Sequence, residues 1–476
     1  MSNVSNMLNV VELYNFIIIG QPESNIPTQF NNIIQNNNIC GIIETQNVNR
    51  DQEQYLDYLN RETDSIGSCD SINSINTQTG GTYNINNFDL IYTEHLNKRD
   101  FNDIKELDDI SKIDVLNNLK EVINIRKNDL HNYINIYDTD LHNECLILNL
   151  NFNINDKVII FGDLHGSFHT FYRHIKRLES FGILNNFKLK ENYNIIFLGD
   201  IIDRGSYGVE LIYYINKLII NNKNNVILNR GNHEDVEVYS EYGFIDECSY
   251  KLSSQIEEYK KLFYIYVSLL TSAITINKKI WLSHGGTPVS NECVKIDMTK
   301  RYFKLDNQDM HNFNYQIKWN DYNPGIETYN SSRGDELYQI GLNDLNNFLE
   351  CNKLEWVIRA HQDHYSNAFI LNYKYNTLNF IDGNYNKDLS IKYIVEKNDV
   401  NNLIYFNKDV NNKIQKNGMT NYIKQVDGAT CRLILSKKEA IDNNYMPVLT
   451  ISTNTDLNRK LTRDSLIILR FDLLDI

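Results

Sequence analysis

The chain has 476 residues, a hydrophobic fraction of 42% and a formal net charge of −14 at pH 7. This length predicts one large domain with additions, or two domains. The acidity argues against nucleic acid or an anionic membrane as a main partner, because no basic stripe offsets it. Seven cysteines, scattered without a Cys-x-x-Cys pair, indicate reduced thiols and no disulfide framework.

No stretch resembles a secretory signal or a membrane span. The apolar stretch Val10–Ile19 contains Glu12 and Asn15, lacks a basic leader and is shorter than a bilayer requires. We therefore expect a soluble, intracellular protein of the cytoplasm. The abundance of Asn, Ile, Lys and Tyr is typical of codon bias in an AT-rich genome, such as that of a protist or a large DNA virus.

The first 150 residues divide into three parts by composition. Residues 1–60 mix two apolar patches with Asn-rich stretches and predict an N-terminal extension of unknown role. Residues 61–84 are rich in Ser, Thr, Asn, Asp and Gly, as linkers are. Apolar residues at helical spacing between Leu96 and Leu130 predict a helical lead-in within residues 85–150.

Residues 151–476 repeat one pattern, in which a short apolar run is followed by Gly or Ser and then by Asp, Asn or His. In its clearest instance Ile195–Leu198 has the length of a buried strand, and Gly199 allows a sharp turn before Asp200. Similar units of strand, turn and helix stand before and after it, whereas the units after residue 280 read as strands without clear helices between them.

The chain ends, after a polar stretch at about 386–430, with strand candidates at 431–435, 447–453 and 465–471. This number of strands fits two packed sheets better than one. We therefore predict an α/β fold in which helices lie outside the sheets. Residues 151–476 would form one catalytic domain, and 386–430 would be an insertion in it.

Six oxygen or nitrogen donors stand at the ends of the apolar runs. Imidazole nitrogens suit zinc, iron or manganese, and carboxylate and amide oxygens suit harder ions, so the mixed set can hold two transition metals. Any one of these residues alone would be an ordinary strand-end side chain, but six at equivalent positions indicate a site with Asp200 as the bridging carboxylate. They are Asp163, His165, Asp200, Asn232, His284 and His361.

Three arginines near these donors are candidate clamps for an anion, because a guanidinium is always charged and binds phosphate in a bidentate manner. They are Arg204, Arg230 and Arg333, although Arg333 alone would equally fit a solvated loop charge. His233 has no ligand role left if Asn232 binds metal. It is then available for proton transfer, with Asp203 as the orienting carboxylate.

The sequence contains five polar, glycine-containing or histidine-containing blocks, at 162–166, 199–205, 230–234, 284–286 and 359–362. Together they resemble the signature of the PPP family of serine/threonine protein phosphatases, within the calcineurin-like metallophosphoesterase superfamily. Weaker signals at Tyr242–Cys248, Trp319–Asp321, Arg333–Gly334 and Asn384–Tyr385 follow in the same order. The resemblance covers residue 150 to the C-terminus.

This resemblance implies a β-sandwich flanked by helices on both sides, with metals at the carboxyl ends of the strands. It makes Asp163, His165 and Asp200 ligands of one ion, and Asp200, Asn232, His284 and His361 ligands of the other. The ions would be manganese, iron or zinc. Arg204 and Arg333 would hold the substrate phosphate, with help from Asn232 and Arg230, and Tyr385 would line the site. His233, paired with Asp203, would protonate the leaving group. Phosphoproteins would be the substrates, and a regulatory subunit is a possible partner.

Some positions depart from the family pattern. Ser331-Ser332 stands where Asn-Asp is usual, Asn386 where Cys is common, and the tail after Tyr385 is longer than the catalytic core needs. These departures affect substrate preference and inhibitor sensitivity but leave the metal set complete. The first 150 residues have no counterpart in the family.

Two other functions compete with a protein phosphatase. A hydrolase of dinucleoside polyphosphates or other small phosphoesters would share the first three blocks, but such enzymes typically have His-Ala-Gly at 284–286 and lack the block at 359–362. A catalytically dead scaffold that binds phosphoproteins would usually have lost a ligand or the proton donor, and none is missing here.

Overall fold

The computed structural model describes residues 7–17, 111–134, 141–305, 312–362, 368–374, 377–380, 431–434, 436–454 and 463–473. Two large β-sheets form the centre of this part of the chain, and helices flank them. The predicted α/β fold of two sheets with helices outside is therefore confirmed.

The first sheet has six strands, which are β1 (Met7–Ile17), β3 (Lys157–Phe161), β6 (Tyr193–Phe197), β7 (Val226–Leu228), β17 (Cys431–Ile434) and β19 (Arg463–Leu473). Their order across the sheet is β17-β1-β19-β3-β6-β7. Strands β3, β6 and β7 are parallel, β19 is antiparallel to β3, and β1 lies between β19 and β17, antiparallel to both. The carboxyl ends of β3, β6 and β7 therefore meet at one edge.

The second sheet has eight strands, which are β2 (Cys145–Leu150), β8 (Ala273–Ile276), β9 (Ile280–Ser283), β10 (Tyr302–Leu305), β14 (Trp356–Arg359), β15 (Ala368–Asn372), β16 (Thr377–Phe380) and β18 (Tyr445–Ile451). Their order across the sheet is β10-β2-β8-β9-β14-β18-β15-β16. The central strands β9, β14 and β18 are parallel, so their carboxyl ends also share one edge.

The second sheet is buried on both faces. Along β9, Ile280 and Leu282 belong to the apolar core shared with the first sheet, whereas Trp281 packs edge-on against Phe348 on the other face, with ring centroids 5.1 Å apart. Successive side chains of a strand point to opposite faces. Two cores, one on each face, thus explain why these strands are continuous apolar runs rather than alternating ones.

Nine α-helices lie in the described ranges, and none of them is long and apolar enough to cross a membrane. They are α1 (Lys112–His131), α2 (Phe168–Ser180), α3 (Gly208–Asn222), α4 (Val236–Glu241), α5 (Phe244–Leu252), α6 (Ile256–Ser268), α7 (Phe313–Trp319), α8 (Leu342–Asn352) and α9 (Lys437–Asp442). The helical spacing predicted before residue 130, after Phe168 and after Tyr207 is confirmed by the first three. Two small sheets comprise β4 (Leu184–Asn185) with β5 (Lys188–Leu189), and β11 (Asp321–Tyr322), β13 (Tyr338–Ile340) and β12 (Tyr329–Asn330).

The prediction that no clear helices separate the later strands is wrong. Helices α7 and α8 lie between β9 and β14, and α8 buries Leu345 and Leu349 at the spacing of one helical turn. Four of the eleven residues of α8 are Asn, which has weak helix propensity. That composition hides the amphipathic pattern.

Strand β1 belongs to the segment predicted as an N-terminal extension. It pairs with β19 along its whole length, from Met7 opposite Leu473 to Ile17 opposite Arg463. This part of the extension is therefore hydrogen-bonded into the first sheet. The linker at 61–84 and the insertion at 386–430 lie outside the described residues, and the domain boundaries stay predictions.

The expectation of reduced thiols is wrong for one pair. Cys293 and Cys351 form a disulfide, which joins the loop after β9 to the last turn of α8. Cys145 and Cys248 are free and buried. The sequence carried no signal for the pairing, because the two cysteines are 58 residues apart and only the fold brings their Cα atoms to 6.0 Å.

Candidate active site

The six predicted donors lie at the strand ends of both sheets. Asp163 and His165 follow β3, Asp200 follows β6, and Asn232 follows β7 in the first sheet. His284 follows β9 and His361 follows β14 in the second. All six are buried, and we refer to them as the donor cluster.

His284 stands at the centre of one half of the cluster. Its Nε2 atom lies 2.9 Å from Asn232 Oδ1, 3.1 Å from Asp200 Oδ2 and 3.2 Å from His361 Nδ1. Separations of about 3 Å are those of neighbouring ligand atoms that each lie about 2.1 Å from one ion. The geometry thus supports the predicted ligand set Asp200, Asn232, His284 and His361.

The other half of the cluster forms around the same carboxylate. His165 Nε2 lies 3.5 Å from Asp200 Oδ2, and His165 Nδ1 donates to the carbonyl oxygen of Ile202 at 3.0 Å. Because a carbonyl only accepts, that bond places a proton on Nδ1 and leaves Nε2 of His165 as the ring nitrogen that could bind a metal. Asp163 Oδ1 accepts from the backbone N–H of His361 at 3.0 Å, which joins the two halves.

The donor set fits a pair of metal ions. Two groups of side chains place ligand atoms within 4.8 Å of one another, and Asp200 belongs to both: His165, Asp200 and His233, and Asp200, His284 and His361. The nitrogens that converge with Asp200 Oδ2 and Asn232 Oδ1 are Nε2 of His284 and Nδ1 of His361. A mixed N/O set of this kind suits zinc, iron or manganese.

The electrostatics of Asp200 and His361 favour ligation. Those of His284 do not, because burial lowers the pKa of His284 but the charge of Asp200 outweighs burial and raises that pKa. Burial by itself raises the pKa of Asp200, but the imidazoles of His284 and His233 hold that pKa well below its usual range. Burial, with the positive charge of Arg333, holds the pKa of His361 well below its usual range. Asp200 is therefore a carboxylate and His361 a neutral imidazole, and these are the forms that bind metals.

Five residues of the site have a left-handed backbone. The φ angles are 44° at His165, 52° at Asp200, 68° at Asp203, 63° at Arg204 and 69° at His361. Such conformations cost about 1–3 kcal/mol each for residues other than glycine, and they persist only where the surroundings impose them. Their concentration here indicates that the fold holds these side chains in place for a function.

His233 and Asp203 form a buried pair beside the donor cluster. His233 Nδ1 lies 2.7 Å from Asp203 Oδ2, while His233 Nε2 lies 4.0 Å from Asp200 Oδ2. The second oxygen of Asp203 accepts from the backbone N–H of Phe244 at 3.0 Å. Asp203 can therefore hold a proton on Nδ1 and direct Nε2 toward the cluster, as the sequence predicts.

Two of the three predicted arginines border the same space. Arg204 places a guanidinium nitrogen 3.4 Å from His233 Nε2. Arg333 pairs with Asp321 at 3.0 Å, and 30% of its side chain is exposed. Asp321 Oδ1 lies 3.8 Å from His361 Nε2, so Arg333 reaches the rim of the cluster through Asp321.

Comparison with known proteins identifies the fold around this site. Residues 156–365 match the family described as calcineurin-like phosphoesterase, and this range contains all six donors. This part of the chain is therefore similar to calcineurin-like phosphoesterases. The predicted family resemblance is confirmed.

Several proteins that are similar to this chain are named as serine/threonine phosphatases. The chain is 31% identical over 216 residues to a protein phosphatase 2A catalytic subunit of Dictyostelium discoideum, a match that covers 44% of this chain and 63% of that protein. It is 31% identical over 208 residues to "Serine/threonine-protein phosphatase T" of Saccharomyces cerevisiae, a match that covers 43% and 38%. The chain therefore spans less than two thirds of each of these relatives.

A solved structure is also similar. It is a protein serine/threonine phosphatase from Saccharomyces cerevisiae, described as similar to human phosphatase PP5. The TM-score is 0.43 at 24% identity, and the match covers 54% of this chain and 73% of that chain.

Arg230 lies differently from the other two predicted arginines. It is buried, and its guanidinium donates to Asp235 Oδ1 at 2.5 Å and to the carbonyl oxygen of His142 at 2.5 Å. Lys318 also donates to Asp235, at 2.7 and 2.5 Å. This arrangement does not support phosphate binding by Arg230, because its side chain is buried and its guanidinium donates to both Asp235 and His142, whereas the side chain of Arg333 is partly exposed.

Sequence reasoning gave Glu234 no role, although it organises the site. Its carboxylate accepts from the backbone N–H groups of Asp200, Ile201 and Gly231, each at 2.8 Å. Burial, with the charge of Asp200, raises the pKa of Glu234 to about 7. The sequence feature that could have indicated this role is the position of Glu234 directly after Asn232 and His233 in the block at 230–234.

The end of β18 also borders the site, a contact that the sequence analysis did not predict. The strand beside β14 is β18, and just past its end the N–H of Thr453 donates to the carbonyl oxygen of Asp163 at 3.2 Å. Thr453 Oγ1 accepts from the N–H of Gly162 at 2.9 Å. The end of β18 therefore positions Asp163. The predicted site residue Tyr385 lies outside the described residues and stays a prediction.

Proposed function

We propose that the phosphoesterase domain hydrolyses phosphoserine and phosphothreonine in proteins with the help of two metal ions held by the donor cluster. The observation that carries this proposal is the buried His233–Asp203 pair, 2.7 Å apart, beside the shared carboxylate Asp200. A serine or threonine alkoxide is a poor leaving group, and a positioned proton donor is what its expulsion requires.

Asp163, His165 and Asp200 would hold one ion, and Asp200, Asn232, His284 and His361 the other. When bound, the ions would supply Lewis-acid polarisation of the phosphate and activation of a water molecule. Manganese, iron and zinc all suit this donor set.

The remaining residues act on the substrate. Arg204 and Arg333 would bind the phosphate oxygens, because a guanidinium offers paired donors that match them. Nε2 of His233 would give its proton to the leaving oxygen, while Asp203 holds the proton on Nδ1. The resulting charge on the oxygens would be met by the same arginines, so they would serve both binding and the transition state.

The relatives that are named as serine/threonine phosphatases support a protein substrate. The chain also has Gly285, where the small-phosphoester hydrolases typically have Ala, and it has the block at 359–362, which they typically lack. Regulatory subunits would be the natural source of specificity for such an enzyme.

A substrate panel tests the proposal. Phosphoserine and phosphothreonine peptides are measured beside a diadenosine polyphosphate, and metal content is determined in the same samples. We expect turnover of the peptides, loss of activity in a strong chelator and recovery with manganese. Preference for the polyphosphate would refute the protein substrate. Full activity after exhaustive metal removal would refute the metal requirement.

A further inference from the structure

Residues 203–207 form a loop that needs support from outside itself. It carries Asp203 and Arg204, whose backbones are both left-handed, with φ angles of 68° and 63°. Tyr207, which precedes α3, provides no side-chain hydrogen bond to the first turn of that helix. Gly205 donates its N–H to the carbonyl oxygen of His165 at 3.0 Å, and further contacts with this loop come from α5, later in the chain.

The first residue of helix α5 is hydrogen-bonded to Asp203, the carboxylate of the proton-donor pair. Its first residue, Phe244, donates its N–H to Asp203 Oδ1 at 3.0 Å, while Asp203 Oδ2 faces His233 at 2.7 Å. Both oxygens of Asp203 therefore have a fixed direction. A displacement of α5 would rotate the carboxylate and, with it, the imidazole.

One turn further along α5, Glu247 supports the start of α3. Its carboxylate accepts from the N–H of Gly208 at 3.1 Å and of Val209 at 2.8 Å. The first N–H groups of a helix have no partner within the helix. Glu247, which is fully buried, thus supplies the cap that α3 lacks, from a different helix.

The last turn of α5 holds the loop itself. Lys251 Nζ donates to the carbonyl oxygen of Ser206 at 2.6 Å, to Glu210 Oε2 at 2.5 Å and to Glu247 Oε1 at 2.9 Å. Three acceptors match the three protons of an ammonium. Burial lowers the pKa of Lys251, but Glu210 and Glu247 outweigh burial and raise it, so the ammonium stays charged.

We propose that Glu247 and Lys251 are positioning residues for the proton-transfer step. Together with the N–H of Phe244 they hold loop 203–207 so that Asp203 keeps His233 oriented and Arg204 stays beside its Nε2 atom. This inference rests on the proposed function. If α5 positions the proton donor, its loss should slow only substrates with poor leaving groups. A merely structural ion pair would not show this selectivity.

Glu247→Gln tests the proposal with little change in volume. The amide keeps one acceptor but places an NH₂ group against a backbone N–H of α3. We expect kcat on a phosphoserine peptide to fall about tenfold, because a small misplacement of a catalytic group costs up to about 10²-fold. On p-nitrophenyl phosphate, whose leaving group needs no proton, we expect a loss below about threefold.

Tyr266→Phe is the matched control. It removes another buried hydrogen bond to α3, the one from Tyr266 Oη to Asn216 Oδ1 at 2.9 Å. We expect Tyr266→Phe to lower Tm while it leaves kcat unchanged on both substrates. Lys251→Met, measured at a temperature where circular dichroism shows it folded, should repeat the selective loss. Equal loss on both substrates, or no loss on either, would overturn the proposal.

A spectroscopic readout separates this inference from the proposed function. In zinc-loaded protein, which is diamagnetic, the proton between His233 and Asp203 should give a downfield resonance that His233→Asn removes. Glu247→Gln should shift or broaden it, and Tyr266→Phe should not. If the parent fails to hydrolyse phosphopeptides, the proposed function is refuted, yet this resonance still reports on the positioning by α5. An unchanged resonance in Glu247→Gln would overturn the positioning role.

Discussion

The donor cluster and the loop at 203–207 lie side by side but are held by different means. Each donor lies in the first few residues after the end of a buried strand, and neighbouring strands align those ends. Asp203 and Arg204 instead depend on hydrogen bonds from α5, and Arg333 depends on Asp321. The difference shows that sheet register positions the donor cluster, whereas contacts from distant segments position Asp203, Arg204 and Arg333.

The largest effect should come from the residue that both halves of the donor cluster share. We expect Asp200→Asn to lower kcat/KM by about 10³-fold or more, because it weakens two metal sites at once. Metal content of the purified variant, measured by mass spectrometry, should fall together with activity. Glu257→Gln, at a side chain that is 75% exposed, is the control for loss of one carboxylate. Full activity in Asp200→Asn would show that this residue is no bridge.

A smaller, selective effect should mark the proton-donor side. We expect His233→Asn to keep both metals and to lose about 10²-fold in kcat on a phosphoserine peptide, since a general acid contributes about 10²- to 10⁴-fold. The loss should shrink on p-nitrophenyl phosphate. Equal loss on both substrates with metals retained would refute the proton-donor role, and loss of a metal would make His233 a ligand.

Replacement of Arg333, at the rim of the donor cluster, should affect both substrate binding and turnover. Arg333→Ala should raise KM for a phosphopeptide and lower kcat, each by about tenfold, because a charged hydrogen bond to the phosphate contributes about 1.5–3 kcal/mol. Arg301→Ala, at an arginine that is 31% exposed, is the control for loss of a surface charge. An unchanged kcat/KM in Arg333→Ala would place the phosphate elsewhere.

The smallest effect on activity should occur at Lys318, which is buried behind the site with Arg230 and Asp235. Burial, with the charge of Arg230, lowers the pKa of Lys318 from 10.5 to about 8. Between pH 8 and 10.5 Lys318 is protonated in the unfolded chain but not in the folded chain. The contribution of Lys318 to the free energy of unfolding therefore rises with pH over this range. We expect Lys318→Met to leave kcat within about twofold.

The same variant has a pH signature in stability. Below pH 8 the folded parent protein buries two cations, Lys318 and Arg230, beside the single carboxylate of Asp235. Lys318→Met should therefore unfold at a higher denaturant concentration than the parent. That advantage should decrease as pH rises from 8 to 10.5. An advantage that grows over this range would show that the ammonium stabilises the fold.

The amino-acid sequence by itself determined the donor cluster and the class of fold. Short apolar runs of three to five residues, followed by turn residues and a polar residue, specify where a strand stops, and the six donors stand just after those positions. The resemblance carried by the five blocks, confirmed over residues 156–365, made the site specific. Local rules suffice here because strand length and turn chemistry are properties of contiguous residues.

Only the tertiary structure decided which charged residues face the site and which support it. Arg204 and Arg230 occupy similar places in neighbouring blocks, yet Arg204 lies beside His233 while Arg230 is bound to Asp235. The roles of Glu247 and Lys251, the contact at Thr453, the Cys293–Cys351 disulfide and the pairing of β1 with β19 were likewise invisible in the sequence. Each depends on segments brought together from far apart in the chain, and no local pattern encodes such a contact.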